Sequence, residues 1–253
     1  MIGRLFPSSE GGAPAAPATP RGTRLYAIGD IHGRDDLLAQ LTLLVHEDAY
    51  RRKAPRNVVI YLGDYVDRGP DSRAVIERLL RAPLPGFESV HLKGNHEDFM
   101  LRFLDDIGVA SGWLTYGGME TLESYGVEAP SPHAPPAELL RAQEGLRRAL
   151  PQEHLGFLRG LRLSHEEGDY AFVHAGVRPG VPFAAQRADD MLWIRDEFLQ
   201  SQASFGRVVV HGHSITSDPD VRTNRIGIDT GAFASGRLTA LVAEGTEWYF
   251  LQT

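Results

Sequence analysis

Val58-Val59-Ile60-Tyr61-Leu62-Gly63-Asp64-Tyr65-Val66-Asp67-Arg68-Gly69 runs from an unbroken apolar segment straight into a polar turn that holds two acids and an arginine. An apolar run this short, closed by glycine, reads as a strand, and the spacing beyond it predicts a helix over Arg73–Arg81. The same order recurs on either side. Leu25-Tyr26-Ala27-Ile28 precedes Gly29-Asp30-Ile31-His32-Gly33 and a helix carrying Leu37, Leu38, Leu41, Leu44 and Val45. Ser89-Val90-His91-Leu92-Lys93 precedes Gly94-Asn95-His96-Glu97 and a helix through Phe99, Met100, Phe103 and Leu104. Strand, loop and helix, repeated in this way, predict an α/β fold. In such folds ligands gather outside the carboxyl ends of the strands, which is where the polar motifs lie.

Residues 101–163 read as a helical insert or cap, with a helix over Ala137–Leu150 after the loop Pro130-Ser131-Pro132-His133-Ala134-Pro135-Pro136. Beyond Gly168 the chain turns strand-rich: Tyr170–Val173 leads into His174-Ala175-Gly176, and Arg207–Val210 into His211-Gly212-His213-Ser214. Further strands are expected at Ile226–Asp229, Leu238–Val242 and Trp248–Leu251. Helices first and strands last predict two sheets packed as a sandwich and flanked by helices. Pro7 through Pro20 is too poor in large apolar residues to offset its ordering entropy, so residues 1–22 read as a tail and 23–253 as the folded domain.

Composition narrows the function. The 253 residues include no cysteine, which excludes thiolate metal sites, disulfides and a cysteine nucleophile. Any metal would rest on His, Asp, Glu or Asn. Lys and Arg total 26 against 33 Asp and Glu, a net charge of −7, and this argues against nucleic acid or an anionic membrane as partner. The longest apolar runs, about five residues, fall far short of the ~20 a membrane span requires. Without a signal peptide, a cytoplasmic location is expected.

Five polar clusters follow five apolar runs: Asp30 with His32, Asp64 with Asp67 and Arg68, Asn95 with His96, His174, and His211 with His213. Each alone has a bland reading, since Gly-Asp is a common turn and an isolated His more often packs than binds metal. Together they predict a metal site. Carboxylate, imidazole and amide oxygen without sulfur suit divalent ions such as manganese, iron or zinc. Six candidate ligands exceed what one open catalytic ion needs and fit two ions sharing a ligand. Two-metal centres activate water and neutralise charge for displacement at phosphorus, and two divalent ions outweigh Asp30 and Asp64. An acidic chain would thus hold a positive site suited to an anionic substrate.

These motifs, in this order, resemble those of the phosphoprotein phosphatase (PPP) family of calcineurin-like metallophosphoesterases. The match runs from about Arg24 to the C-terminus, and Leu192-Trp193-Ile194-Arg195 points to the bacterial and phage branch. The resemblance implies a two-sheet β-sandwich flanked by helices, around two divalent ions, manganese first with iron or zinc as alternatives. It assigns Asp30, His32 and Asp64 to one metal, and Asp64, Asn95, His174 and His213 to the other, with Asp64 as bridge. His96 would be the general acid, oriented by Asp67. Arg68 and Arg195 would bind phosphate, with Asn95 close to substrate as well as metal. His211 and His213 share a side on a strand, and the family's Gly-His-Ser/Thr pattern selects His213. The chain lacks the C-terminal motif with which eukaryotic Ser/Thr phosphatases complete their cleft.

Outside this set, His46, His91, His133, His154 and His165 read as structural or exposed, Glu97 as a helix start, and Asp229-Thr230-Gly231 as a turn. Trp113 and Trp193 read as packing residues. The leading expectation is a phosphomonoesterase acting on phosphoserine or phosphothreonine in proteins or on phosphorylated small molecules. The alternative is a symmetrical dinucleoside tetraphosphate hydrolase, though no base-stacking pocket is legible in the sequence. A non-catalytic metal- or phosphate-binding protein is a third reading.

Overall fold

The computed structural model describes residues 16–253. The first three strand–helix units form β1 (Thr23–Ile28), α1 (Asp35–Arg52), β2 (Arg56–Tyr61), α2 (Ser72–Arg81), β3 (Phe87–His91) and α3 (Asn95–Asp105). β1, β2 and β3 pair in parallel, so their carboxyl ends open on one side. Tyr26, Ile28, Val59 and Tyr61 pack against Leu38, Leu41, Val45 and Ile76 of α1 and α2. The alternate residues Leu25, Ala27, Val58 and Ile60 face the second sheet. Both faces of these strands are therefore buried, and period-two alternation gives way to continuous apolar runs.

The segment after α3 contains α4 (Ala110–Trp113), a π-helical turn at Leu114–Gly118, α5 (Met119–Ser124), α6 (Pro136–Ala149) and α7 (Gln152–Arg159). Pro136 stands at the start of α6, where a missing N–H costs nothing. Trp113, Leu122, Leu146 and Leu158 join the core already formed by α1–α3, so the insert extends that layer.

The second sheet consists of β4 (Ser164–Glu167), β5 (Tyr170–Val173), β6 (Val208–His211), β7 (Asp220–Val221) and β8 (Arg225–Gly227), with α8 (Ala188–Trp193) and α9 (Asp196–Leu199) between β5 and β6. After the short α10 (Ala232–Ser235), β9 (Thr239–Glu244) and β10 (Glu247–Gln252) return to the first sheet. The sheet orders are β10-β9-β1-β2-β3 and β4-β5-β6-β8-β7. Tyr170, Phe172, Val208, Val210 and Ile226 fill the space between the sheets. Val173 and Val209 face outward against Met191, Ile194 and Phe198. The result is a sandwich with helices on both outer faces. β4 and β7 went unread in the sequence because one is a polar edge strand and the other has only two residues.

Of the segment read as a tail, residues 1–15 lie outside the described residues. Residues 16–22 correct that reading, because they are tied to both sheets. Thr19 donates its N–H to the Gly245 carbonyl, in the β9–β10 turn, and its hydroxyl accepts from Gly245 N–H. Ala18 exchanges hydrogen bonds with Asp169, in the β4–β5 turn. Composition concealed this because the segment is held largely through its backbone, with the Thr19 hydroxyl beside it.

Candidate metal centre

β1, β2, β3, β5, β6 and β8 all deliver a polar loop to one end of the sandwich. Five of the six non-glycine residues with left-handed backbone among the described residues lie in these loops: His32, Asp64, Asp67, Arg68 and His213, with φ between 46° and 72°. Each such residue costs about 1–3 kcal/mol and persists only where its surroundings hold it. Glycines allow the loops to touch. A Cβ on Gly94 would lie 2.1 Å from Asp64 Oδ1, and one on Gly212 would lie 1.9 Å from Asp30 Oδ1.

Asp64 is at the centre. Its carboxylate lies 3.5 Å from His32 Nε2, 3.4 Å from His174 Nε2 and 3.9 Å from His96 Nε2. His32, Asp64 and His96 offer ligand atoms within 4.8 Å of one another, as do Asp64, His174 and His213. The two groups share Asp64. Asn95 Oδ1 lies 2.8 Å from His174 Nε2, and Asp30 Oδ2 accepts from the His213 N–H at 2.9 Å. All seven of these residues are buried.

Donor chemistry fits divalent cations. His32 Nδ1 and His174 Nδ1 meet the Val66 and Leu62 carbonyls at 2.9 and 3.0 Å, so Nδ1–H is the donor and Nε2 keeps a free lone pair. Asp30 Oδ1 and His213 Nε2 are buried without hydrogen-bond partners. Burial pushes His32 down to about 3 and His213 to about 2, and also lowers His174, leaving these imidazoles neutral and able to ligate. Burial opposes ionisation of Asp64, but attraction to the surrounding imidazoles when they carry a proton, His174 first and then His96, draws its pKa below the usual carboxylate range.

His96 has a different environment. Its Nδ1 lies 2.6 Å from Asp67 Oδ2, and its Nε2 lies 3.4 Å from Arg68 Nη2. Burial disfavours its cation, yet Asp64 and Asp67 outweigh that and raise its pKa. Asp67 is itself anchored by the insert: Trp113 Nε1–H donates to its Oδ2 at 2.9 Å, and the Thr121 hydroxyl donates to its Oδ1 at 2.6 Å. Trp113 packs on Phe103, as expected of a core residue, but its N–H contact with Asp67 was not legible in the sequence.

Arg68 stacks its guanidinium over Phe233 at 4.8 Å, and Arg195 Nη1 reaches the Ser214 hydroxyl at 3.5 Å. Both arginines face the cluster. His211 does not join it; its Nδ1 meets the Gly212 carbonyl and its Nε2 meets Arg225. A third His/Glu group, Glu77, Glu153 and His154, is already occupied, because Arg81 pairs with both glutamates and His154 bridges Glu77 and Tyr125.

Glu97 begins a helix as expected, but it does more. Fully buried, it accepts backbone N–H bonds from Gly94 (2.8 Å), Asp64 (2.9 Å), Tyr65 (2.7 Å) and Val66 (3.2 Å). It thereby clamps the loop after β2 to the loop after β3. Burial and the Asp64 charge push it up to about 8, against the pull of the Gly94 and Val66 N–H groups.

The family model for calcineurin-like phosphoesterases matches residues 23–224. The chain is a calcineurin-like phosphoesterase. Among relatives of this phosphoesterase is serine/threonine-protein phosphatase 2 of Escherichia coli, 30% identical over 85% of this chain and 90% of that protein. A symmetrical bis(5'-nucleosyl)-tetraphosphatase from Acidovorax is also 30% identical, over 61% of this chain and 44% of that longer protein. A crystal structure provisionally described as a diadenosine tetraphosphatase shares the phosphoesterase fold with a TM-score of 0.59 and 21% identity, covering 94% of this chain and 98% of the other. No helix among the described residues is long and apolar enough to cross a membrane.

Proposed function

We propose that this phosphoesterase hydrolyses phosphomonoesters, with phosphoserine and phosphothreonine in proteins as substrates. The observation that carries this reading is the Asp67–His96 pair beside the shared carboxylate Asp64, with Arg68 against the same imidazole. Asp30, His32 and Asp64 would hold one divalent ion, and Asp64, Asn95, His174 and His213 the other, manganese being the first choice. When bound, the ions lower the pKa of water and take up the charge that develops at phosphorus.

The remaining chemistry belongs to the side chains. Arg68 and Arg195 bind phosphate oxygens, Arg68 through its planar fork. Asp67 holds Nδ1–H of His96, so that Nε2–H points at the leaving oxygen. As water adds to phosphorus and the P–O bond to the alcohol breaks, that proton passes to the departing alkoxide. The similarity to serine/threonine-protein phosphatase 2, which spans nearly both chains, supports the protein substrate.

A second reading has its own observation. The Trp193 ring lies 6.2 Å from that of His213 and 5.2 Å from Phe99, and Phe99 lies 6.4 Å from Tyr116. Trp193 is 36% exposed and Tyr116 55%, so an aromatic ledge leads outward from the cluster. On this reading Trp193 serves the substrate in addition to the packing expected of it. A ledge of this kind suits a nucleobase, which favours a dinucleoside polyphosphate.

Metal-stripped protein restored with manganese should be given a phosphothreonine peptide and, separately, diadenosine tetraphosphate. Peptide turnover with little dinucleotide cleavage supports the first reading. Two equal diphosphate products with an inert peptide overturn it in favour of the second.

A further inference from the structure

α4, the π-helical turn and α5 pack as one piece against the loop after β2. Trp113 closes α4 and Thr121 lies in α5. On an unbroken α-helix, positions 113 and 121 would point about 80° apart. The π turn at Leu114–Gly118 interrupts that helix, with Gly117 at φ 111°. Its glycines let it seat closely. A Cβ on Gly117 would lie 2.6 Å from Arg68 N, and one on Gly118 would lie 2.5 Å from Trp113 Cδ2. The Gly117 carbonyl accepts the Arg68 N–H at 3.1 Å.

Two side chains of this piece end on one carboxylate. Trp113 Nε1–H donates to Asp67 Oδ2 at 2.9 Å, and the same oxygen faces His96 Nδ1 at 2.6 Å. The Thr121 hydroxyl donates to Oδ1 at 2.6 Å and accepts the Asp67 N–H at 2.9 Å. The Ser72 hydroxyl, 3.0 Å from that of Thr121, accepts the same N–H at 3.0 Å. Asp67, Trp113 and Thr121 are all fully buried.

Packing alone does not account for these polar atoms. A Phe ring would also stack on Phe103, and Val matches the shape of Thr121. Among the described residues, the Trp113 N–H bonds to Asp67 alone. The last torsion of an Asp side chain is broad, so its rotamer leaves the carboxylate plane free until donors on both oxygens fix it. The His96 ring follows that plane, and proton transfer to a departing oxygen depends on where Nε2 points.

We propose that Trp113 and Thr121 are positioning residues of the reaction: they fix the Asp67 carboxylate, and through it the direction in which His96 presents Nε2. The insert thereby carries the frame of the general acid. This inference rests on the phosphomonoester reading and adds two residues to it.

Thr121→Val keeps the shape and removes the hydroxyl, whereas Thr121→Ser keeps the hydroxyl. Both variants and Trp113→Phe are loaded with manganese, and bound metal and melting temperature are recorded. Turnover is compared on a phosphothreonine peptide, whose alkoxide needs a proton, and on p-nitrophenyl phosphate, whose phenolate leaves without one. Thr121→Val should hold two ions and lower kcat on the peptide about 10–100-fold, but on the aryl ester by less than about threefold, with KM little changed. Thr121→Ser should recover most of the peptide rate. Trp113→Phe should show the same split as Thr121→Val. In a His96→Ala background, Thr121→Val should change the residual peptide rate by less than about twofold, because the group it positions is gone.

Equal losses on the two substrates, or an undiminished loss in the His96→Ala background, overturn the proposal in favour of a purely structural role. If Thr121→Val fails to fold, Trp113→Phe carries both comparisons, and the same results overturn it. Loaded wild type that leaves the peptide intact removes the phosphomonoester reading and this inference with it.

Discussion

Glu97→Gln tests whether the clamp between the β2 and β3 loops depends on charge. All four partners of the carboxylate are backbone N–H donors, at 2.7 to 3.2 Å. A proton on Glu97 would find no acceptor among them, and a cation beside Asp64 would remove the repulsion that lifts its pKa. We therefore take Glu97 as ionised in the loaded protein. Gln keeps one accepting oxygen and turns an NH₂ group toward two of the donors. Two charge-assisted bonds are lost, and two buried N–H groups are left without partners at about 1–3 kcal/mol each. The expected loss is about 4 kcal/mol, and at roughly 2–4 °C per kcal/mol for a chain of this size the melting temperature should fall about 8–16 °C. Scanning calorimetry of the manganese-loaded proteins at pH 7.5 measures this directly. Because Asp64 N–H is one of the four donors and Asp64 stands in left-handed backbone, turnover of an aryl phosphate should fall in parallel. A melting temperature within about 3 °C of wild type, with unchanged turnover, would refute the reasoning. Glu97 would then be neutral or replaceable by water.

Three further perturbations probe separate parts of the structure. His96→Ala should keep both metal ions yet lose about 10²–10⁴-fold in turnover on poor leaving groups, and far less on an activated aryl phosphate; equal losses measured on both would end its role as acid. Gly94→Ala, at a backbone conformation open to any residue (φ −93°, ψ 172°), should lower the melting temperature and lose manganese, because the new Cβ would lie 2.1 Å from Asp64 Oδ1 and 2.4 Å from Asp64 N; metal analysis finding two ions in a variant that melts like wild type would contradict this. His91, stacked on Tyr61 with centroids 4.9 Å apart, is pushed down to about 4 by burial. The unfolded chain therefore binds this proton first, so stability present above pH 6.5 is lost as pH falls toward 4. His91→Phe keeps the stack and should lessen the fall in melting temperature between pH 7 and 5, while an unaltered profile would rule His91 out as a contributor.

Much of the fold was legible because β1 and the second half of β2 are buried on both sides and closed by glycine, which leaves unbroken apolar runs followed by polar turns. The ordered motifs also identified which polar groups to expect at the strand ends. Other features left no such trace. Residues 16–22 are held largely through backbone atoms, whose partners no composition reveals. β4 and β7 are too polar or too short to carry a period.

Trp113 and Trp193 look alike as aromatic residues near helices, yet one donates to Asp67 from the core and the other edges the cleft. Glu97 looks like a helix start, and is one, but burial against a loop far away in sequence gives it a second part. The sequence by itself determined the residue types and their order, hence the chemistry on offer, because strand and turn propensities are local. Only the tertiary structure decided which imidazoles keep a free lone pair, and which ring stays exposed. Those properties depend on distance and desolvation between segments that the chain keeps far apart.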